Sequence, residues 1–243
     1  MVGFDLSAIA ASKAITAVDG VVYNTAFDSD GGAWTDGAKA RASSWYNETL
    51  NTATRGATRP FPAVAVIIAE AAKVTIYDAT DISLPMWMVF TSAAGTILRG
   101  TNTIKSVSAK NGLISIAGTQ SASTITSHAI HMIKDVAESY STALWRFNGN
   151  ISQRNEGLSA TQVTSVGLVN VNANDVAMTV LPDAPIDPAT GLPVPTIAVA
   201  TDGGVSVIKD DGTVADSDYA SVVSSVVFTE NGCIFYVDSS GTG

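Results

Sequence analysis

Internal repetition constrains this chain more than any other feature. Three segments, "FPAVAVIIAEAAKVTIYDATD" from Phe61, "NGLISIAGTQSASTITSHAIHMIKD" from Asn111 and "VPTIAVATDGGVSVIKDDG" from Val194, each read as a strand, a turn and a second strand closing on Asp. Apolar residues alternate along them, as in Val64/Val66, Ile114/Ile116 and Ile197/Val199, then Val74/Ile76, Ile130/Met132 and Val205/Val207, which is the period of two that places one face inward. Asn-Gly, Asp-Gly and Gly-Gly pairs between the runs supply the positive φ of tight hairpins. A further strand precedes the pair at 104–112 and at 223–232, each running into an Asn-Gly turn. A fourth follows in "LPMWMVF" at 84–90 and "TALWRF" at 142–147. Four-stranded antiparallel units repeated along one chain are the signature of a β-propeller.

The expected fold is therefore all-β, a partial propeller with units near 61–100, 104–160 and 166–220 and an incomplete one at 222–243. The Pro-, Gly- and Asp-rich text "LPDAPIDPATGLPVP" at 181–195 reads as a loop insertion. Stopping after the second strand of a unit leaves an open, pairing-competent edge in "CIFYVDSSG", so a longer polypeptide or a partner chain is expected to cover it. Residues 1–60 follow the repeat poorly and read as a separate, irregular attachment segment or as the outer strand of a preceding unit, with a short helix over 5–16, a strand, turn and loop over 18–37 and aromatic-anchored coil or a short helix after it.

The apolar fraction of 46% excludes a disordered chain, and 22 acidic against 13 basic side chains give −9, which repels nucleic acid and anionic membranes. The longest apolar run is broken by Glu70 and is too short to span a bilayer. Asp5 stands where a signal peptide carries positive charge, and the single Cys233, beside Ile234 and Phe235, reads as a buried small hydrophobe in a chain made in a reducing cytoplasm.

Candidate sites are few. Asp28 and Asp30 precede Gly31-Gly32 as calcium loops begin, but the later ligands are missing at their spacing, and a surface turn is the better reading. His128 and His131 would share a helix face; on a strand, three positions apart places them on opposite faces, which excludes a shared metal. Asp78, Asp135 and Asp210 recur at equivalent strand ends, as structural turn residues do, whereas a glycosidase needs its carboxylate pair once. No cofactor is expected. Trp87 and Trp145, in comparable fourth strands, read as packing residues between units, with sugar stacking as the alternative. Trp34, Trp45 and Tyr46 lie in polar text with few strands to bury them and are expected to anchor the chain on neighbouring subunits.

The run "YNTAFDSDGGAW", "SWYNETLNTATRG", "FPAVAVIIAE" and "LPMWMVF", in that order over residues 20–90, resembles the amino-terminal region of large virion structural proteins of tailed bacteriophages and prophages, of the tail-fibre or tail-appendage kind. The resemblance implies a particle component, made in the host cytoplasm and assembled into the virion, whose amino-terminal part is held on the tail or an adjacent appendage; with no catalytic constellation in the sequence, the chain is read as non-enzymatic. Its partners would be other tail proteins and further copies of itself, with a host-surface glycan as a possible contact. Two other readings stand beside it. A carbohydrate-binding propeller would present a concave surface of exposed Trp, and a polysaccharide-degrading tailspike would place two carboxylates within about 10 Å in a cleft.

Overall fold

The computed structural model describes residues 13, 15–99, 103–119, 126–218 and 220–238. These form four antiparallel sheets in chain order, none closed on itself. The first sheet holds β1 (Ala17–Asn24), β2 (Val64–Glu70), β3 (Lys73–Asp78) and β4 (Met86–Thr91), each paired with the next. The second runs from β5 (Thr103–Lys110) and β6 (Leu113–Thr119) through β7 (Ser127–His131), β8 (Val136–Tyr140) and β9 (Leu144–Phe147) to β10 (Ala160–Thr164). The third comprises β11 (Ala173–Thr179), β12 (Thr196–Thr201), β13 (Gly204–Ile208) and β14 (Val214–Asp216), and the fourth is the pair β15 (Val223–Phe228) and β16 (Ile234–Asp238). Lys13, Ile15 and Thr16 apart, the helix expected over 5–16 lies outside the described residues.

The units stack through their first strands. β1 and β2 pack on β5, β5 and β6 on β11, and β11 and β12 on β15. The all-β, propeller-like repeat expected from the sequence is thus the observed architecture, in an open form. The second strand of each of the first three sheets is buried on both faces, as Ala65 to Ala69, Leu113 to Gly118 and Thr196 to Thr201 show. In the second and third sheets both faces meet a neighbouring unit, whereas in the first the outward face of Val66 and Ile68 is covered by Ile15, Tyr77 and Met86 of its own unit. The alternation seen in the sequence therefore separates two packed faces, which in the second and third sheets look toward the unit before and the unit after. Ile67, Ile76, Ile104 and Ile116 are fully covered in this way, each worth about 1.5–3 kcal/mol over exposure.

Three boundaries differ from expectation. Residues 17–24, within the segment expected to stand apart, belong to the repeat: β1 is the first strand of the first unit, pairing Tyr23 with Ala65 and Val21 with Ile67. A long insertion, residues 25–63, replaces the hairpin that would have revealed it. The same holds in the third unit, where β11 pairs with β12 across the loop at 180–195. In the second unit the fourth strand is Val136–Tyr140, and "LWRF" is a fifth strand beyond it; Glu138 pairs with Arg146. In the second and fourth units the Asn-Gly hairpins hold as read, with Asn111, Gly112 and Gly232 at φ of 49°, 70° and 76°.

Candidate assembly interface

The insertion after β1 folds into short 3-10 turns and one helical turn, α1 (Ala38–Ala42), around an aromatic cluster. Ring centroids of Trp45 and Trp87 lie 5.4 Å apart, Phe61 and Trp87 4.9 Å, Trp34 and Phe61 4.9 Å, and Tyr23 and Phe61 5.8 Å. Trp34, Trp45 and Trp87 are 2%, 0% and 1% exposed, so the expectation of Trp34 and Trp45 as anchors for neighbouring subunits is corrected: this chain already covers them. Their indole N–H groups are also satisfied internally, Trp34 on Asp28 Oδ2 at 2.8 Å, Trp45 on the Met132 carbonyl at 2.6 Å and Trp87 on the Pro60 carbonyl at 2.8 Å. Tyr46 is half-buried and reaches Asp36 Oδ1 at 3.3 Å. Trp145, on β9, is half-buried with the Arg99 guanidinium 5.7 Å from its ring centroid.

Asp28 is not a surface-turn residue. It is 6% exposed; Oδ1 accepts the Asn111 N–H at 2.8 Å, and Oδ2 accepts the hydroxyl of Tyr23 as well as the Trp34 indole. Burial, then the Asp28 charge, push the Tyr23 phenol well above its usual range. Asp30, by contrast, closes a local turn on Gly32 N–H at 3.0 Å.

Asp135 accepts Ser44 N–H at 2.8 Å and Ile151 N–H at 3.0 Å, joining the insertion to the turn at 151–154, while Asp78 accepts Thr80 N–H at 2.9 Å. The histidines occupy opposite faces of β7. His128 Nδ1 meets Ser139 Oγ at 3.0 Å; His131 Nε2 stands 3.5 Å from Glu138 Oε2. Burial lowers the pKa of both, that of His128 to about 3. Burial alone would raise Glu138, but His131 and Arg146 outweigh it and hold the carboxyl down at about 2. Among the described residues no group of three or more His, Cys, Asp or Glu is placed to hold a metal ion, and no helix is long and apolar enough to cross a membrane.

A polar cleft of about 300 Å³ opens beside Glu48, Arg55 and Arg154. The arginines are 1% and 3% exposed, and their donors are committed: Arg55 to the carbonyls of Trp87 at 2.9 Å and Arg59 at 3.1 Å, Arg154 to those of Val89 at 2.7 Å and Thr54 at 2.8 Å. Glu48 pairs with both guanidiniums. This is a clasp that fastens the insertion to β4, with its charged groups spent on the protein itself.

What remains unspent lies at the end of the stack. Each first strand carries a bulge at its start, skipping Val18, Lys105, Asn174 and Ser224. The residue after the bulge is Asp19, Ser106, Asp175 or Ser225. These join successive units: Asp19 Oδ2 accepts Val107 N–H at 2.8 Å, Asp175 Oδ1 accepts Ser106 Oγ at 2.6 Å, and Asp175 Oδ2 accepts Val226 N–H at 2.8 Å and Ser225 Oγ at 2.9 Å. Two and four residues past the bulge, Val107/Ala109, Val176/Met178 and Val226/Phe228 face the preceding unit, and the third residue faces the following one, as Val21 and Ala177 do.

In the fourth sheet the forward-facing residues are Val227 and its cross-strand partner Phe235, with Val237 beside them. They are 49%, 64% and 59% exposed, whereas in the third unit Ala198 and Ala200, the equivalents of Phe235 and Val237, are fully buried against β15 and Ala177, the equivalent of Val227, is partly buried there. The sequence marked "CIFYVDSSG" as an open strand edge for a partner; the sheet face that Val227, Phe235 and Val237 form was not read, because they look like any alternating strand, and the aligned bulge residues were the available signal. Cys233 next to them is exposed, not buried, since nothing in the described chain packs on that side of the hairpin.

No family model matches the chain and no curated protein matches it. Among solved structures, Kluyveromyces lactis Hsv2 aligns at 11% identity over 72% of this chain and 68% of its own length, with a TM-score of 0.22, a superposition too loose to bear on fold or function.

Proposed function

We propose that this chain is a non-enzymatic structural component of a bacteriophage tail, of the fibre or appendage kind, that works by assembly. The observation carrying this reading is the uncovered apolar sheet face of Val227, Phe235 and Val237 at the end of a stack whose internal faces are all of one type. An apolar sheet face left in water marks an interaction surface. The resemblance over residues 20–90 supports the same reading, because its motifs meet in space: Tyr23, Trp34, Trp45, Phe61 and Trp87 belong to one core cluster. The attachment role passes from the buried tryptophans to exposed surface.

A glycan-binding surface of stacked Trp finds no support, since three of the four tryptophans are buried in that cluster. The test is fractionation of a phage-producing culture of the encoding host on a density gradient, with mass spectrometry of the bands. The chain is expected to co-sediment with tailed particles in fixed ratio to other tail proteins; recovery only among free proteins, while the other tail proteins band, overturns the reading.

A further inference from the structure

We propose that the uncovered face of β15 and β16 is occupied by β1 of a second copy of this chain, head to tail, so that the contact between copies repeats the contact between units. The inference rests on reading that face as an assembly surface and names its partner. Every internal junction has the same two halves. The front half is the third residue past the bulge with its neighbours on the second strand; the back half is the first strand of the next unit, presenting the second and fourth residues past its bulge.

Among the described residues, the first and last sheets of the stack each expose one half. In the last, Val227, Phe235 and Val237 form a front half that no described residue covers. In the first, β1 offers Gly20 and Val22, which occupy the register of Val226 and Phe228, and Val22 is 41% exposed. The second strand takes no part in this. At the internal junctions Ile114/Ile116 and Ile197/Val199 pack on the preceding unit beside the first strand, but their equivalents Val66 and Ile68 are already covered by Tyr77, Met86 and Ile15, so the contact with a second copy is made by β1.

The polar register agrees. Along the stack the residue after the bulge alternates Asp19, Ser106, Asp175, Ser225, and a second copy placed after Ser225 brings Asp19 again. Asp175 uses one oxygen for the serine of the unit before it and the other for the unit after it. Among the described residues Asp19 uses only Oδ2, for Val107 in the unit after it. Its Oδ1 is the oxygen that, in Asp175, receives the preceding serine, and Ser225 of the second copy is that serine. Its hydroxyl turns from Asp175 Oδ2, which keeps the Val226 N–H. A heterologous contact of this kind closes into a ring or extends into a filament according to its rotation.

The test is sedimentation velocity on the full chain and on two variants, Phe235→Lys and Val22→Lys, whose sites are 64% and 41% exposed, so that each tolerates lysine without loss of fold, as checked by circular dichroism. The wild-type chain is expected to sediment as a dimer or larger, and each variant as a monomer near the chain mass of 25.0 kDa. Mixing the two variants, one with an intact β1 and the other with an intact β15–β16 face, should restore a dimer through one good junction. A wild-type monomer at tens of micromolar overturns the inference. So does an oligomer that Val22→Lys leaves intact, which would mean that two β15–β16 faces meet each other. A monomeric chain that still co-sediments with phage particles sinks this inference and leaves the assembly reading standing.

Discussion

Asp28 and Asn111, far apart in sequence, are joined by a 2.8 Å hydrogen bond from the Asn111 N–H to Asp28 Oδ1 that pins the first insertion to the hairpin turn of the second unit. The pin is reinforced from both sides. Asn111 Oδ1 accepts Ser29 N–H at 3.0 Å, Asn111 Nδ2 donates to the Pro193 carbonyl at 2.9 Å, and Tyr23 Oη accepts Gly112 N–H at 2.8 Å. One Asn-Gly turn thus holds two insertions from two other units. Asp28→Ala strips the acceptor from three donors, the Tyr23 hydroxyl, the Trp34 indole and the Asn111 amide. With about 1–3 kcal/mol lost for a buried donor left unmet, a total loss of about 3–5 kcal/mol is expected in urea unfolding. A loss under about 1 kcal/mol would mean that the turn stands without its pin.

Trp45→Ala should behave as a core truncation. Trp45 is fully buried, packed edge-on to Trp87, with its N–H on the Met132 carbonyl. The expected cost is about 3–5 kcal/mol of unfolding free energy, with no change in the association state of the protein that remains folded. The reverse outcome, normal melting with lost association, would restore Trp45 to the interface role its polar flanks suggested.

The strands of the second and fourth units were legible because their first and second strands are adjacent in sequence and joined by Asn111-Gly112 and Asn231-Gly232. The first strands of the first and third units were not. There, 25–63 and 180–195 intervene, and a strand such as "AVDGVVYN" without its hairpin partner carries no sequence mark of belonging to the repeat. Residue type misled in one consistent way. Trp34 and Trp45 sit among Gly, Asp, Ser and Asn, whose backbone turns wrap the rings; burial by irregular structure has no periodicity to read. The exposed face failed for the opposite reason. Val227, Phe235 and Val237 alternate as buried strand residues do, and only the absence of a following sheet among the described residues leaves them uncovered.

Acid should destabilise the protein in two stages. Burial, aided by Arg99, holds His128 near pKa 3, below its ordinary value of 6.5, so the unfolded chain takes up that proton first as pH falls. The group's contribution is complete above about pH 6.5 and is lost progressively down to about pH 3, at up to about 1.4 kcal/mol per pH unit. Glu138 titrates near 2 against an ordinary 4.5, so its contribution is present above about 4.5 and fades below it. Between pH 6.5 and 4.5 the histidines dominate, His131 shifting in the same direction. His128→Gln should flatten the stability profile in that window by about one proton while leaving the fall below pH 4.5 in place. Chemical denaturation across the pH range measures it; an unchanged slope would place a neutral-to-cationic transition of His128 outside the folding equilibrium.

The last prediction concerns the clasp. Glu48 is the one carboxylate between two buried guanidiniums, and each arginine also bonds carbonyls of β4, Arg55 to Trp87 and Arg154 to Val89. Burial lowers Arg55 to about 10 and lowers Arg154 as well, with Glu48 opposing the shift in both. Removing the anion therefore leaves two like charges facing one another out of water. Breaking a buried pair from one side costs about 3–5 kcal/mol, so Glu48→Gln should lose that much. Replacing Arg154 by Met in the Glu48→Gln background removes one of the stranded charges, and the double variant should be more stable than the sum of the two single losses by more than about 1 kcal/mol. Strict additivity in the four-way cycle would show that the guanidiniums do not sense the carboxylate. The arginines would then owe their positions to the β4 carbonyls alone.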